Sequence, residues 1–269
     1  MDVKLLLNKP DLKNYFNLSV SKAKTYKDCK AKFKFGYIEK LPKKERDYHK
    51  FGKFLHEILE NFHKEIIAGN ELPHNKIMTI CYNNALKNWE MTQAQSQEAF
   101  QILVKYLKNL TNDKSVCLKA EKEFFIEINE EILLQGFIDK VQRDEDGIIH
   151  VVDYKTAKSA KFLEKDFLQL LTYAYALFLE DPSIEKIRAS YLMLRHDCSL
   201  ITREFSVNDM IEIKDIFFNY AQQIKSETEY LPSPSPLCSY CDFVDNCETG
   251  NKFISPDMSF GLDSWGGKG

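Results

Sequence analysis

The chain has 269 residues, 44% hydrophobic and 29% charged, with a formal net charge of −3. That is the composition of a globular domain able to bury its own core. No apolar run reaches the roughly 18 residues that would span a bilayer, and the leading MDVKLLLNKPDLKN holds too short an apolar stretch for a signal peptide. A cytoplasmic protein with no membrane partner is expected. The charge is unevenly spread. Residues 19–53 carry twelve Lys or Arg and four Asp or Glu, a local balance of +8, with Phe33, Phe35, Tyr37, Tyr48 and Phe51 interleaved. Such a stretch could hold phosphates while its aromatics stack on bases. A solvated lysine face on an amphipathic helix gives the same pattern.

In chain order, residues 1–18 read as a leading segment without a clear pattern. Ser19 and Ser21 open a helix over 19–40, with Cys29 about midway, and Pro42 with the charged run 43–47 ends it. The next helix, over 48–68, has its apolar stripe at Phe51, Leu55, Ile58, Leu59, Phe62 and Ile66 and stops at Gly69. His56 lies beside that stripe, where a histidine is more often structural than catalytic. Residues 75–112 are again helical in pattern and carry no evident chemistry. The helical region is thus expected over 19–118.

A sheet-bearing core follows over 119–205. Residues 120–128 form its first strand, with a turn at 129–130. Two strands then meet at a turn over 143–147, and a helix over 163–179 is stopped by Asp181 and Pro182. Residues 184–195 and 200–205 read as two more strands. Ser206 and Asp209 form a capping-box variant that starts a helix to about 229. Pro232, Pro234 and Pro236 make a stiff connector into a cysteine group within the segment 206–249, and 250–269 reads as a flexible tail. No internal repeat is evident. The fold class expected is α/β, a small mixed sheet flanked by helices.

The chemistry concentrates in residues 133–173. Asp139 lies on the first central strand, Asp153 and Lys155 on the second, and Gln169 and Tyr173 on the helix. Residues two apart on a strand share a face, and so do residues four apart on a helix. Two carboxylates, a lysine and an amide can therefore converge. Magnesium and manganese favour oxygen donors and often take only one or two protein carboxylates. Such a metal would polarise a phosphate and lower the pKa of an attacking water. Asp153 follows Ile148, Ile149, Val151 and Val152 on an apolar strand, so a charged pair there is costly unless it has a task.

Of seven cysteines, Cys81, Cys117 and Cys198 stand alone and read as buried small hydrophobes. Cys238, Cys241 and Cys247 form C-x2-C-x5-C, with Cys29 far upstream. Four thiolates can hold a [4Fe–4S] cluster or a zinc ion, and the spacing does not choose. Either would close a loop of about two hundred residues and join the N- and C-terminal parts.

These motifs together resemble the RecB-type branch of the PD-(D/E)XK nuclease superfamily, especially its iron–sulfur members, the AddB nuclease domains and the CRISPR-associated adaptation nucleases. The family's G-x-x-D strand corresponds to Gly136 and Asp139, and its D-x-K strand to Asp153 and Lys155 followed by Thr156. Its Q-x-x-x-Y helix corresponds to Gln169 and Tyr173, and its G-x-x-x-H helix to Gly52 and His56. The split cysteines match as well. The chain departs from the family in having Lys30 where Pro often follows the first cysteine, and Ala157 where Gly usually follows D-x-K-T.

The resemblance implies a restriction-endonuclease-like fold with His56, Asp139 and Asp153 as ligands of Mg2+ or Mn2+. It implies Lys155 as the catalytic lysine, with Gln169 and Tyr173 supporting substrate or site geometry. It favours a [4Fe–4S] cluster on Cys29, Cys238, Cys241 and Cys247. The expected function is a DNA exonuclease acting on single strands or duplex ends, in recombination, repair, phage DNA processing or CRISPR adaptation. No G-x-x-x-x-G-K-[ST] loop is present, so unwinding would need a partner such as a helicase. A DNA-end binder that does not cut, or a zinc-stabilised scaffold docking on a helicase or integrase, are the other classes the sequence allows.

Overall fold

The computed structural model describes residues 3–44, 46–159, 163 and 166–255. The chain runs through β1 (Lys4–Leu6), β2 (Phe16–Leu18), α1 (Val20–Asp28), α2 (Lys30–Phe33), a π-helical turn (Lys34–Ile38) and α3 (Asp47–Ile67). It continues with α4 (His74–Asn88), α5 (Gln93–Thr111), β3 (Val116–Asn129), β4 (Ile132–Arg143), β5 (Ile149–Lys155) and α6 (Leu168–Glu180). It closes with β6 (Lys186–Met193), β7 (Ser199–Ser206), α7 (Ile213–Ser226) and α8 (Glu248–Ile254). Two compact units result, one built from residues 1–20 and 46–221 and the other from 21–45 and 222–269.

In the first unit, seven strands among the described residues form one mixed sheet in the order β1-β3-β4-β5-β6-β7, with β2 parallel to β4 off that path. The long β3–β4 hairpin is antiparallel, whereas β5 and β6 are parallel and joined through α6, as a crossover helix requires. The sheet is larger than the sequence suggests, because three-residue β1 and β2 are too short to show a period of two. The apolar run of β5 has the expected cause: all but its two end residues are buried.

On α3 the stripe is buried as its spacing predicts, with Phe51, Leu55, Ile58, Leu59 and Phe62 each at most 1% exposed. They share a core with Ile77, Met78 and Cys81 of α4, Ile102, Leu103 and Tyr106 of α5, and Val152 and Tyr154 of β5. Each such large side chain contributes about 1.5–3 kcal/mol on burial. The helical elaboration is therefore the lid of the sheet's core. Gly69, with φ +77°, stands where a left-handed residue ends α3, and α5 starts on a capping box of Thr92 and Gln95. Cys81 and Cys198 are buried as expected, while Cys117 is only partly so.

The second unit corrects one reading. The helix expected over 19–40 breaks at Cys29, whose φ of −161° and ψ of 111° are extended, so α1 ends and α2 begins there. Two of the interleaved aromatics are not free stacking platforms, since Phe33 and Phe51 are buried, whereas Tyr48 is 42% exposed. Phe33 packs edge-on to Tyr26 at 5.5 Å and stacks with Tyr230 at 6.4 Å. Glu227 accepts from Tyr26 Oη at 3.1 Å and pairs with Lys30 at 2.5 Å. That lysine contact draws the Glu227 carboxyl down to about 2. The helix expected from 163 starts at Leu168, and the tail assigned to 250–269 opens with α8, its residues 256–269 lying outside the described ones.

Gly136 of the β4 motif has a steric cause. A Cβ there would lie 2.7 Å from the Phe124 ring, which faces it across the hairpin and packs edge-on to Tyr173 at 5.9 Å. Gly136→Ala is expected to lower stability by about 1–3 kcal/mol in urea unfolding, and Phe124→Leu in the same chain to recover part of it. Equal stability of Gly136→Ala and the parent would show that the ring yields freely.

Candidate active site

The site forms where β4 and β5 part. Their ladder pairs Arg143 with Ile149 and continues to Lys140 with Val152, then stops. Beyond that point the Tyr154 N–H has no strand partner on this side, and Asp139 supplies one: its Oδ2 accepts from Tyr154 N at 2.7 Å. The Tyr154 carbonyl is met from α3, by His56 Nε2 at 3.0 Å. A carbonyl only accepts, so Nε2 carries the proton and the neutral ring's lone pair lies on Nδ1. That atom stands 3.5 Å from Asp139 Oδ1. Burial opposes charge on His56, but the hydrogen bond and charge of Asp139 outweigh it and raise the imidazole pKa.

Gly52 lies one turn before His56, and a Cβ there would stand 3.1 Å from Thr156 Oγ1. The motif glycine thus lets α3 close on the end of β5. Arg195 fixes the same corner: it donates to the Thr156 carbonyl at 2.9 Å, forks onto Glu98 at 2.7 and 3.2 Å, and lies 4.5 Å from the Phe51 ring centre. Bidentate and stacked contacts of this kind are specific to arginine. Sequence reasoning missed Arg195 and Glu98, since neither stands in a motif and they meet only in the fold.

Asp153 is 2% exposed. Lys155 Nζ stands 2.6 Å from its Oδ2, yet off the line of a hydrogen bond, so that buried oxygen has charge contact and no hydrogen bond among the described residues. Lys155 donates to Gln169 Oε1 at 3.0 Å, and Gln169 Nε2 donates to the Tyr173 hydroxyl at 2.7 Å. The four-residue spacing on α6 therefore builds a brace for the lysine. Tyr191, register partner of Asp153, puts its ring centre 5.1 Å from Lys155 Nζ. It too escaped the sequence reading.

Glu121 is a further omission. It sits on β3 opposite Asp139, between the pairs Ala120–Lys140 and Lys122–Ile138, with φ +48° in the left-handed region that L-residues enter at a cost of about 1–2 kcal/mol. Burial first, then the charges of Asp139 and Glu60, raise its carboxyl to about 7. Burial likewise raises Asp153 to about 6 against the pull of Lys155. The site is thus short of positive charge, with oxygen donors and one imidazole nitrogen around it. That donor set suits a hard divalent cation. Among the described residues, no three His, Cys, Asp or Glu side chains close into a finished coordination shell.

The four cysteines lie in the second unit and line one small cavity, together with Lys32, Phe35, Val244 and Gly250. Cys238 Sγ accepts from Ser235 N at 3.4 Å and Cys247 Sγ from Gly250 N at 3.3 Å. A Cβ on Gly250 would enter the cavity 3.3 Å from Cys247 Sγ and 3.7 Å from Cys238 Sγ. Burial raises the Cys241 thiol, and Cys29 and Cys238 add to that. The extended Cys29 at the helix break is what turns its side chain here. Four cysteines thus line one cradle with backbone N–H donors on two of their sulfurs, the donor type of a thiolate metal centre, though among the described residues their sulfurs do not close into a coordination shell.

The raised carboxyls make a pH prediction. Asp153 (3.8 to about 6) and Glu121 (4.5 to about 7) bind protons in the folded chain that the unfolded chain has already lost. What these two groups contribute to metal-free stability is therefore present below about pH 4 and is lost as pH rises through roughly 4 to 7, while the buried His63 and His150, whose pKa values burial lowers, contribute with the opposite sign. Asp153→Asn should flatten that decline and raise Tm above the parent's at pH 7.5. A Tm difference between Asp153→Asn and the parent that stays constant between pH 4.5 and 7 would contradict the assignment.

Residues 17–248 match the sequence profile of the PD-(D/E)XK nuclease superfamily. A subunit of the ATP-dependent helicase/deoxyribonuclease of Streptococcus agalactiae is 24% identical over 212 residues, covering 72% of this chain and 20% of that protein. Its namesake in Clostridium perfringens is 26% identical over 221 residues, covering 66% of this chain and 19% of that one. The chain spans about a fifth of the length of these relatives. A solved structure from Eubacterium rectale aligns with 86% of this chain and 88% of its own, at 10% identity and a TM-score of 0.47. With its mixed sheet, its flanking helices and a profile match across most of its length, the chain belongs to the PD-(D/E)XK nuclease superfamily.

Proposed function

We propose that this chain is a divalent-metal-dependent deoxyribonuclease that hydrolyses phosphodiesters as an exonuclease on single-stranded DNA or duplex ends. The observation that carries the reading is the convergence of His56, Asp139, Asp153 and Lys155 where β4 and β5 part. Asp139, Asp153 and Nδ1 of His56 would hold Mg2+ or Mn2+. The bound metal would polarise the scissile phosphate and supply an activated water. Lys155, braced by Gln169 and Tyr173, is placed to stabilise charge growing on the phosphate. Asp153 Oδ2, buried against the Lys155 ammonium at 2.6 Å, keeps lone pairs that a bound cation would take up.

The cysteine cradle supports a [4Fe–4S] cluster, with zinc as the other occupant its four sulfurs admit. Its role in this reading is structural, since Cys29 and the C-terminal cysteines belong to segments far apart in the chain. The relatives are named as subunits of a helicase/deoxyribonuclease, which favours a helicase partner over an integrase for supplying single strands. No helix among the described residues is long and apolar enough to cross a membrane.

Cleavage of end-labelled single-stranded and duplex DNA with Mn2+ or Mg2+ tests the proposal, using anaerobically purified brown protein and its Asp153→Ala variant. The expected outcome is metal-dependent cutting from an end, reduced at least roughly 100-fold in the variant. Parent protein that binds DNA and never cuts, with both metals supplied, would replace the enzyme with a DNA-end binder.

A further inference from the structure

On the reverse face of the β4–β5 pair, under the end of α5, lies a cavity of about 310 Å3. Tyr106, Asn109, Asn112, Asp113, Lys140, Gln142 and His150 give its polar lining, and Leu110, Val152, Leu192, Cys198 and Leu200 its apolar one. The volume is at the lower end of small-ligand pockets. Lys140 is 4% exposed, and among the described residues its ammonium has no hydrogen bond and no ion pair. Its ammonium opens into the cavity and is the one cationic group among the described lining residues. Of the groups around it, Asp113 alone is an acid. Tyr106 gives its hydroxyl to a contact with His63 Nε2 at 2.5 Å. His150 lies between Asp144 Oδ1 at 3.1 Å and Ser190 Oγ at 2.7 Å, and Gln142 Nε2 donates to Asp144 at 2.7 Å. Burial lowers the pKa of both His63 and His150, which keeps the two rings neutral. Asp113, the one acid among the described lining residues, accepts from Ser115 N at 2.8 Å.

We propose that this cavity binds a small phosphate monoester, its phosphate on Lys140 and its body against Leu110, Val152, Leu192 and Leu200. The amide of Asn112 supplies a neutral donor to the same anion, whereas that of Asn109 already donates to the Asp197 carbonyl at 3.3 Å. The site does not depend on the nuclease reading. It does back onto it: Lys140 and Val152 are the chain neighbours of Asp139 and Asp153, and Tyr106 Oη lies 3.5 Å from Tyr154 Oη. An occupant would therefore bear on the fork from behind.

Calorimetric titration of the full, metal-free chain with inorganic phosphate and with deoxyadenosine 5′-monophosphate tests this. The nucleotide is expected to bind, and more tightly than phosphate alone. Lys140→Met should weaken it roughly ten- to hundredfold, the worth of a charge-assisted contact. Lys155→Met should leave it unchanged. Asn112→Asp, at the exposed end of α5, guards against a misfolded Lys140 variant and should weaken binding in the same direction. Binding lost in Lys155→Met and kept in Lys140→Met places the anion in the active site and overturns the proposal. Equal affinity for phosphate and nucleotide overturns the ester, and no binding of either overturns the site.

Discussion

The structure turns on the backbone of one residue. Tyr154 donates its N–H to Asp139 and offers its carbonyl to His56, so a strand end that has lost its ladder partner is held by two side chains from other elements. A buried, unpaired backbone group would cost about as much as a lost hydrogen bond. Satisfying both groups of Tyr154 therefore fixes Asp139 and His56 within 3.5 Å of each other before any ligand arrives. The neighbours of that residue, Asp153 and Lys155, are carried to the same place by the strand's period of two.

Around that residue the fold devotes its close contacts to geometry. Gly52 and Arg195 bring α3 to the end of β5, Gly136 leaves room for Phe124, and Phe124 in turn steadies Tyr173. Tyr173 and Gln169 then hold Lys155. Residues that look like separate motifs along the chain are one connected assembly. The raised carboxyls of Asp153 and Glu121 and the left-handed backbone at Glu121 put strain and uncompensated charge at the same spot, a pattern typical of functional sites.

Much of this was legible in the sequence because it depends on local periods. The α3 stripe, the buried β5 strand and the four-residue spacing of Gln169 and Tyr173 each follow from helix or strand geometry alone. The short β1 and β2 were not legible, since three residues carry no period. The break at Cys29 was hidden by helix-forming lysines on both sides of it. Glu121, Tyr191 and the Arg195–Glu98 pair escaped because their meaning lies in partners 18 to 97 positions away. The aromatics at 33 and 51 misled for the opposite reason: a basic, aromatic stretch on paper becomes core once the helices pack.

The central claim is that the fork at Tyr154 preorganises a cation site. Titrating metal-free protein with Mn2+, followed by the loss of the free ion's paramagnetic resonance signal, addresses it without any substrate. The account predicts saturable binding that Asp139→Asn and His56→Ala each weaken at least roughly tenfold, as loss of one ligand should, while Lys140→Met leaves it intact. Mn2+ binding that is unchanged in both Asp139→Asn and His56→Ala would contradict it.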